Sequence, residues 1–112
     1  MYRFKKIAQI IGKENDKNKS FKYIKDKFET IEKPSLKIIY QMGNIVKRYE
    51  KYDLSIKYYT KILSKLDPTS LMYADVLFRR GGSYERIGNE KKADEDLLKF
   101  FKVFFALVNS SF

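Results

Sequence analysis

The chain has no cysteine and no histidine in its 112 residues. The first absence excludes disulfides and thiolate metal sites. The second removes the commonest general base and the commonest metal ligand. Five glycines and two prolines leave few places for the backbone to break. No apolar run approaches the roughly 20 residues that cross a bilayer. The start, Met1-Tyr-Arg-Phe-Lys-Lys, carries charge and is followed by only a short apolar run, so it does not read as a signal peptide. These absences predict a cytoplasmic protein without catalytic activity, cofactor or metal.

What is present is helical in character. The chain is 44% hydrophobic and 34% charged, room for one small domain with a modest core. Its net charge of +10 is uneven. Residues 1–72 hold 17 Lys/Arg against 8 Asp/Glu, whereas residues 73–112 hold 7 against 6. The basic first part favours anionic partners, and it also serves solubility.

Apolar residues recur at helical spacing almost everywhere. Phe4, Ile7, Ala8 and Ile11 form a first stripe ending near Gly12. Lys13 to Lys19 is polar and is expected to be a loop, with Ser20 capping a second helix whose stripe is Phe21, Ile24, Phe28 and Ile31. Lys33-Pro34-Ser35 ends that helix and starts the next, because a proline disfavours helical geometry in the residue before it. Ile39, Met42, Val46 and Tyr49 make a third stripe, running to about Glu50. Asp53 is the expected cap of a fourth helix, striped by Tyr59, Ile62, Leu63 and Leu66. After a turn at Asp67-Pro68-Thr69-Ser70, a fifth helix covers Leu71 to Ile87 and stops at Gly88-Asn89. A sixth runs from about Glu90 to Leu107. No segment alternates as a strand would, and short connections predict antiparallel pairs.

The pairs repeat. Aligning Gly43 with Gly81 sets Ile39 on Leu77, Val46 on Tyr84, Ser55 on Ala93 and Tyr59 on Leu97, a period of 38 residues. A glycine inside a helix costs roughly 1 kcal/mol relative to alanine. Gly81 and Gly82 are therefore expected where helices approach closely, with Ala93 opposite Gly81 and Tyr84 filling the space beside it. Gly88 is expected in a left-handed turn.

Leu77, Gly81, Tyr84, Gly88, Ala93 and Leu97 resemble the tetratricopeptide repeat, a helix–turn–helix unit of about 34 residues. Leu36 to Pro68 resembles a second copy through Ile39, Met42, Gly43, Val46, Tyr52, Ser55, Tyr59 and Asp67-Pro68. The extra residues fall around Thr69 to Tyr73. Ser55 replaces the small alanine of the pattern, and Ile62 and Phe100 stand where the family prefers alanine. The text is similar in style to alphaproteobacterial members, in which further repeats usually follow, so the chain resembles a truncated member. The resemblance implies an all-α superhelix of about three antiparallel helix pairs, divided at 1–34, 35–72 and 73–112, the first pair degenerate.

The resemblance also implies a protein–protein interaction module, a scaffold or adaptor that binds a peptide or protein segment on its concave face. Carried over, that face consists of Lys37, Tyr40, Asn44, Lys47 and Arg48 from one copy and Asp75, Phe78, Gly82, Glu85 and Arg86 from the other. Aromatic and cationic groups together suit an acidic, aromatic-containing segment. Some members hold a terminal carboxylate with lysine, asparagine and arginine. Only Asn44 and Arg79 match that set, while Tyr40 and Asp75 replace two cations, so a carboxylate clamp is not expected.

Three further features carry expectations. Asp94, Glu95 and Asp96 are consecutive on a helix and point apart, which suits helix-end and lysine complementation better than a metal. Arg79-Arg80, Lys47-Arg48 and interleaved tyrosines admit an alternative role in binding nucleic acid, although no recognised motif accompanies them. Leu97 to Val108 is apolar almost all round, broken only by Lys99 and Lys102. A surface helix shows a single stripe, so this segment is expected to fold back over the last pair, to pack against a second copy or to dock on a partner or membrane surface. Of these, self-association, as a homodimer through the C-terminal helix, is predicted.

Overall fold

The computed structural model describes residues 2–110, and the side chains of 13 and 15–110. The described residues form five α-helices and no strand: α1 Tyr2–Glu29, α2 Leu36–Arg48, α3 Tyr52–Leu63, α4 Leu71–Arg86 and α5 Glu90–Ser110. The chain divides into two compact units, Met1–Lys33 and Pro34–Phe112.

The first unit corrects the expected pair of helices. Residues 13–19 are helical, and α1 is continuous over 28 residues. Lys13 to Lys19 contains no proline or glycine, and its lysines and glutamate are good helix formers, so polarity alone does not break the helix. Gly12 is absorbed at the modest cost of a mid-helix glycine, and Ser20 lies inside the helix. The stripe Phe4, Ile7, Ala8 and Ile11 lies outside the described side chains. Near the end of α1, Lys25 and Glu29 pair at 3.7 Å, and Lys27 sits over the Tyr23 ring at 5.6 Å.

In the second unit the start signals act largely as their chemistry dictates. The Ser35 hydroxyl accepts from the Ile38 amide at 3.2 Å and caps α2. The Ser70 hydroxyl accepts from the Tyr73 amide at 3.1 Å and caps α4. In the turn between α3 and α4, the Asp67 carboxylate accepts from the Thr69 amide at 2.9 Å and its hydroxyl at 2.8 Å. Asp53 is not the cap of α3. The helix starts before it, with Lys51 at the cap position, and Asp53 lies in the first turn, where its charge complements the helix dipole.

α2 and α4 end in the same closure. After α2, the Lys51 amide bonds to the Val46 carbonyl at 2.9 Å, with Glu50 left-handed at φ 63°. After α4, the Asn89 amide bonds to the Tyr84 carbonyl at 2.9 Å, with Gly88 at φ 81°. This is the Schellman arrangement, and Glu50 and Gly88 are 38 residues apart, as the repeat requires. α4 has 16 residues against 13 in α2.

Consecutive helices pack: α2 on α3, α3 on α4, α4 on α5. Contacts between α4 and α5 run in opposite chain directions, Gly81 meeting Ala93 and Asp96 while Phe78 meets Phe100, so the pair is antiparallel. Both aligned glycines sit in hairpin interfaces. A Cβ on Gly43 would lie 2.7 Å from the Tyr59 ring, and one on Gly81 would lie 3.3 Å from the Asp96 Cβ and 3.5 Å from the Ala93 carbonyl oxygen. Val46, Tyr59, Ile62, Val76 and Leu77 are fully buried at the centre, each contributing about 1.5–3 kcal/mol by leaving water.

Two polar links cross this core. The Ser55 hydroxyl donates to the Tyr52 carbonyl at 2.7 Å and lies 2.7 Å from the Ser83 hydroxyl, which joins α3 to α4. Arg80 grips Asp96 in a fork, Nε–Oδ2 2.8 Å and Nη2–Oδ1 2.7 Å, and its Nη1 donates to the Thr60 hydroxyl at 3.1 Å. Asp96 is thus the inward member of the acidic run, engaged by an arginine. Asp94 and Glu95 face solvent.

Candidate functional site

α2 and α4 run side by side in the same direction. Tyr40 meets Asp75 and Asn44 meets Arg79, both pairs 35 residues apart. Equivalent residues are 38 apart, so α4 is displaced by three residues, about 4.5 Å of helix rise, relative to α2. That displacement decides which side chains share a surface.

At one end the surface is a closed polar network. The Tyr40 hydroxyl donates to the Asp75 carboxylate. Arg79 Nε donates to the same carboxylate at 3.1 and 3.3 Å, and its guanidinium lies 5.5 Å from the Tyr40 ring centre. Arg79 Nη1 and the Tyr59 hydroxyl both donate to Asn44 Oδ1, at 3.3 and 2.5 Å. Burial pushes the Tyr59 hydroxyl up to about 12. Burial and the hydrogen bond to Asp75 also raise Tyr40. Both phenols therefore remain neutral donors at neutral pH.

Beside this network lies a recess of ≈ 370 Å³ lined by Asn44, Lys47, Arg48, Glu50, Tyr52, Arg79 and Arg86. Four cations share it with one carboxylate. The Lys47 ammonium donates to the Arg79 carbonyl at 2.9 Å, and a Cβ on Gly82 would lie 3.0 Å from it. Gly82 therefore leaves room for the lysine tip. Burial, then the charges of Arg79 and Arg86, push Lys47 below the ordinary lysine range. Arg86 sits 5.8 Å from the centre of the Tyr52 ring, which turns it toward the recess. Around Arg79, burial works against the charge, but the Asp75 carboxylate, with Tyr40 and Tyr59, outweighs it and raises the guanidinium's affinity for the proton.

The residues expected on the binding face separate into groups. Tyr40 belongs to the polar network, while Asn44 joins that network to the recess. Lys47, Arg48 and Arg86 converge in the recess itself. Phe78 belongs to a different, apolar depression with Leu71, Ala74, Asp75, Phe100 and Phe104. Lys37 and Glu85 are exposed and outside the residues lining either one. Sequence reasoning did not assign Glu50 or Tyr52 to the site, because Glu50 lies in the connection after α2 and Tyr52 opens α3, outside the helices expected to form the binding face. Arg79 was legible as a partial match to a carboxylate-binding pattern and as part of the Arg79-Arg80 pair. Its i, i+4 spacing from Asp75 was the signal for its orientation.

Among the described residues, no helix is long and apolar enough to cross a membrane, and no three His, Cys, Asp or Glu side chains gather as metal ligands. No protein-family model, curated protein or solved structure matches the chain.

Proposed function

We propose that the chain is a non-catalytic adaptor of the tetratricopeptide-like kind, in which α2 and α4 form the concave side of a short superhelix and hold an acidic segment of another protein. One observation carries this reading: Lys47, Arg48, Arg79 and Arg86 converge on a single recess with Glu50 as its only acid. Burial first, and then the charges of Arg79 and Arg86, disfavour the charged form of Lys47, and a bound carboxylate would offset both. The guanidinium groups supply fork geometry for carboxylates, and Tyr40 and Tyr52 add aromatic surface beside them.

The test uses a fluorescein-labelled peptide of alternating glutamate and tyrosine, a lysine–tyrosine counterpart, and an oligothymidine of equal charge to the first. Fluorescence anisotropy is expected to show saturable binding of the acidic peptide alone. Arg48→Glu, at an exposed position, is expected to weaken it about tenfold, which is about 1.4 kcal/mol. Tyr40→Ala should weaken it as well, by freeing Arg79. Equal binding of both peptides, or indifference to Arg48→Glu, overturns the proposal. Tighter binding of the oligothymidine with a steep salt slope assigns the recess to nucleic acid instead.

A further inference from the structure

α5 carries two apolar faces. Ala93, Asp96, Leu97 and Phe100 turn toward α4. A second stripe, Leu98, Phe101, Phe105 and Val108, faces solvent, with exposures of 63, 48, 56 and 36%. Its spacing of three, four and three residues is that of a helix–helix seam. The stripe is not isolated. Ring contacts of 5.2 to 6.2 Å link Phe78, Phe100, Phe104, Phe105 and Phe101 into one ridge.

Neither lysine of this segment interrupts the ridge. Lys99 lies over the Tyr73 ring at 5.3 Å, toward α4. Lys102 lines a separate depression beside Pro68 and Val103. Asp75, the one charge beside Phe78 and Phe104, is held by Tyr40 and Arg79, so the ridge offers little to select a charged partner, but it is complementary to itself, as a two-fold interface requires.

We propose that the ridge is the interface of a homodimer, the occupant being the same ridge of a second copy. Area supports this. At roughly 150–250 Å² for each aromatic side chain, the exposed parts of the stripe, Phe104, Phe78 and Leu71 amount to roughly 700 Å². That is near the about 800 Å² per partner of a standard interface and above the roughly 300–600 Å² of the largest patch on a typical monomer. Charge supports it too. The molecule carries +10, but the α4–α5 half holds 7 Lys/Arg against 6 Asp/Glu, so two copies repel least where the ridges meet. The interface is independent of the cationic recess.

The full chain, run over a hundredfold concentration range by light scattering and sedimentation equilibrium, is expected to reach twice the 13.4 kDa of one copy. Phe101→Glu/Phe105→Glu is expected to stay a single copy where the unaltered chain is paired, with its helical circular dichroism retained. Arg48→Glu should leave the mass unchanged. Because the chain has no cysteine, Leu98→Cys places a lone thiol on the ridge, and a short bismaleimide should join two copies there but not through Arg48→Cys. A single copy at every concentration overturns the proposal. So does a dimer that survives the double glutamate variant, or cross-linking equally efficient at both positions.

Discussion

At the scale of single residues, the structure rests on a few side chains whose surroundings leave no alternative. Arg80 is the sharpest case. Its fork on Asp96 is largely removed from water, with side-chain exposures of 19% and 6%, and Asp96 raises the arginine's hold on its proton. Removing one partner strands the other. Arg80→Ala is therefore expected to cost about 3–5 kcal/mol by urea denaturation. Arg80→Ala/Asp96→Ala should cost less than Arg80→Ala alone, because no buried charge is left. A double variant weaker than the single one would show that the arginine acts by packing its stem. That a nearby cation would engage the acidic run was legible, although lysine rather than arginine was expected. Which carboxylate turns inward was not, because consecutive helical residues point apart and only the position of α4 chooses among them.

At the scale of elements, the two hairpins are close relatives with different ends. Ser35 and Ser70 cap α2 and α4, and Glu50 and Gly88 close them. Only the second closure has the residue that tolerates positive φ without strain. Glu50→Gly is accordingly expected to raise stability by about 0.5–1 kcal/mol, read as a higher urea midpoint with an unchanged slope. It also takes the lone acid from the cationic recess, so affinity for the acidic peptide should rise in the same variant. An unchanged midpoint would mean that the Glu50 side chain stabilises the turn by as much as its backbone strains it. The end of α4 at Gly88 was legible because a left-handed turn is local chemistry, whereas the expected caps Ser20 and Asp53 are not helix caps. The continuity of α1 was not legible, because a polar run without proline or glycine is compatible with either helix or loop.

At the scale of the molecule, two surfaces of opposite character belong to different parts of the second unit. The recess gathers cations, mostly from α2 and α4, whereas the ridge belongs to a nearly neutral hairpin. Salt should separate them. Raising the salt concentration from about 0.05 to 0.5 M shortens the Debye length several-fold. It is expected to weaken the acidic peptide's binding and to leave the dimer unchanged or tighter, because screening removes repulsion between two +10 copies. Calorimetric titration and sedimentation on the same preparations check this. Parallel weakening of both would place charge, not apolar area, at the dimer interface.

The amino-acid sequence alone determined that the second unit is helical, that Gly81 lies where helices nearly touch, that Gly88 turns left-handed, and that residues 67–70 form a turn. Each of these depends on one residue's own conformational preference or on apolar spacing along a single helix. The tertiary structure decided the rest. The displacement of α4 by three residues brought Lys47 and Arg79 together and sent Phe78 elsewhere. The side of α5 that α4 covers left Leu98, Phe101, Phe105 and Val108 in water. Such outcomes depend on the register between helices, which is set by the packing of many side chains at once and is written in no single segment.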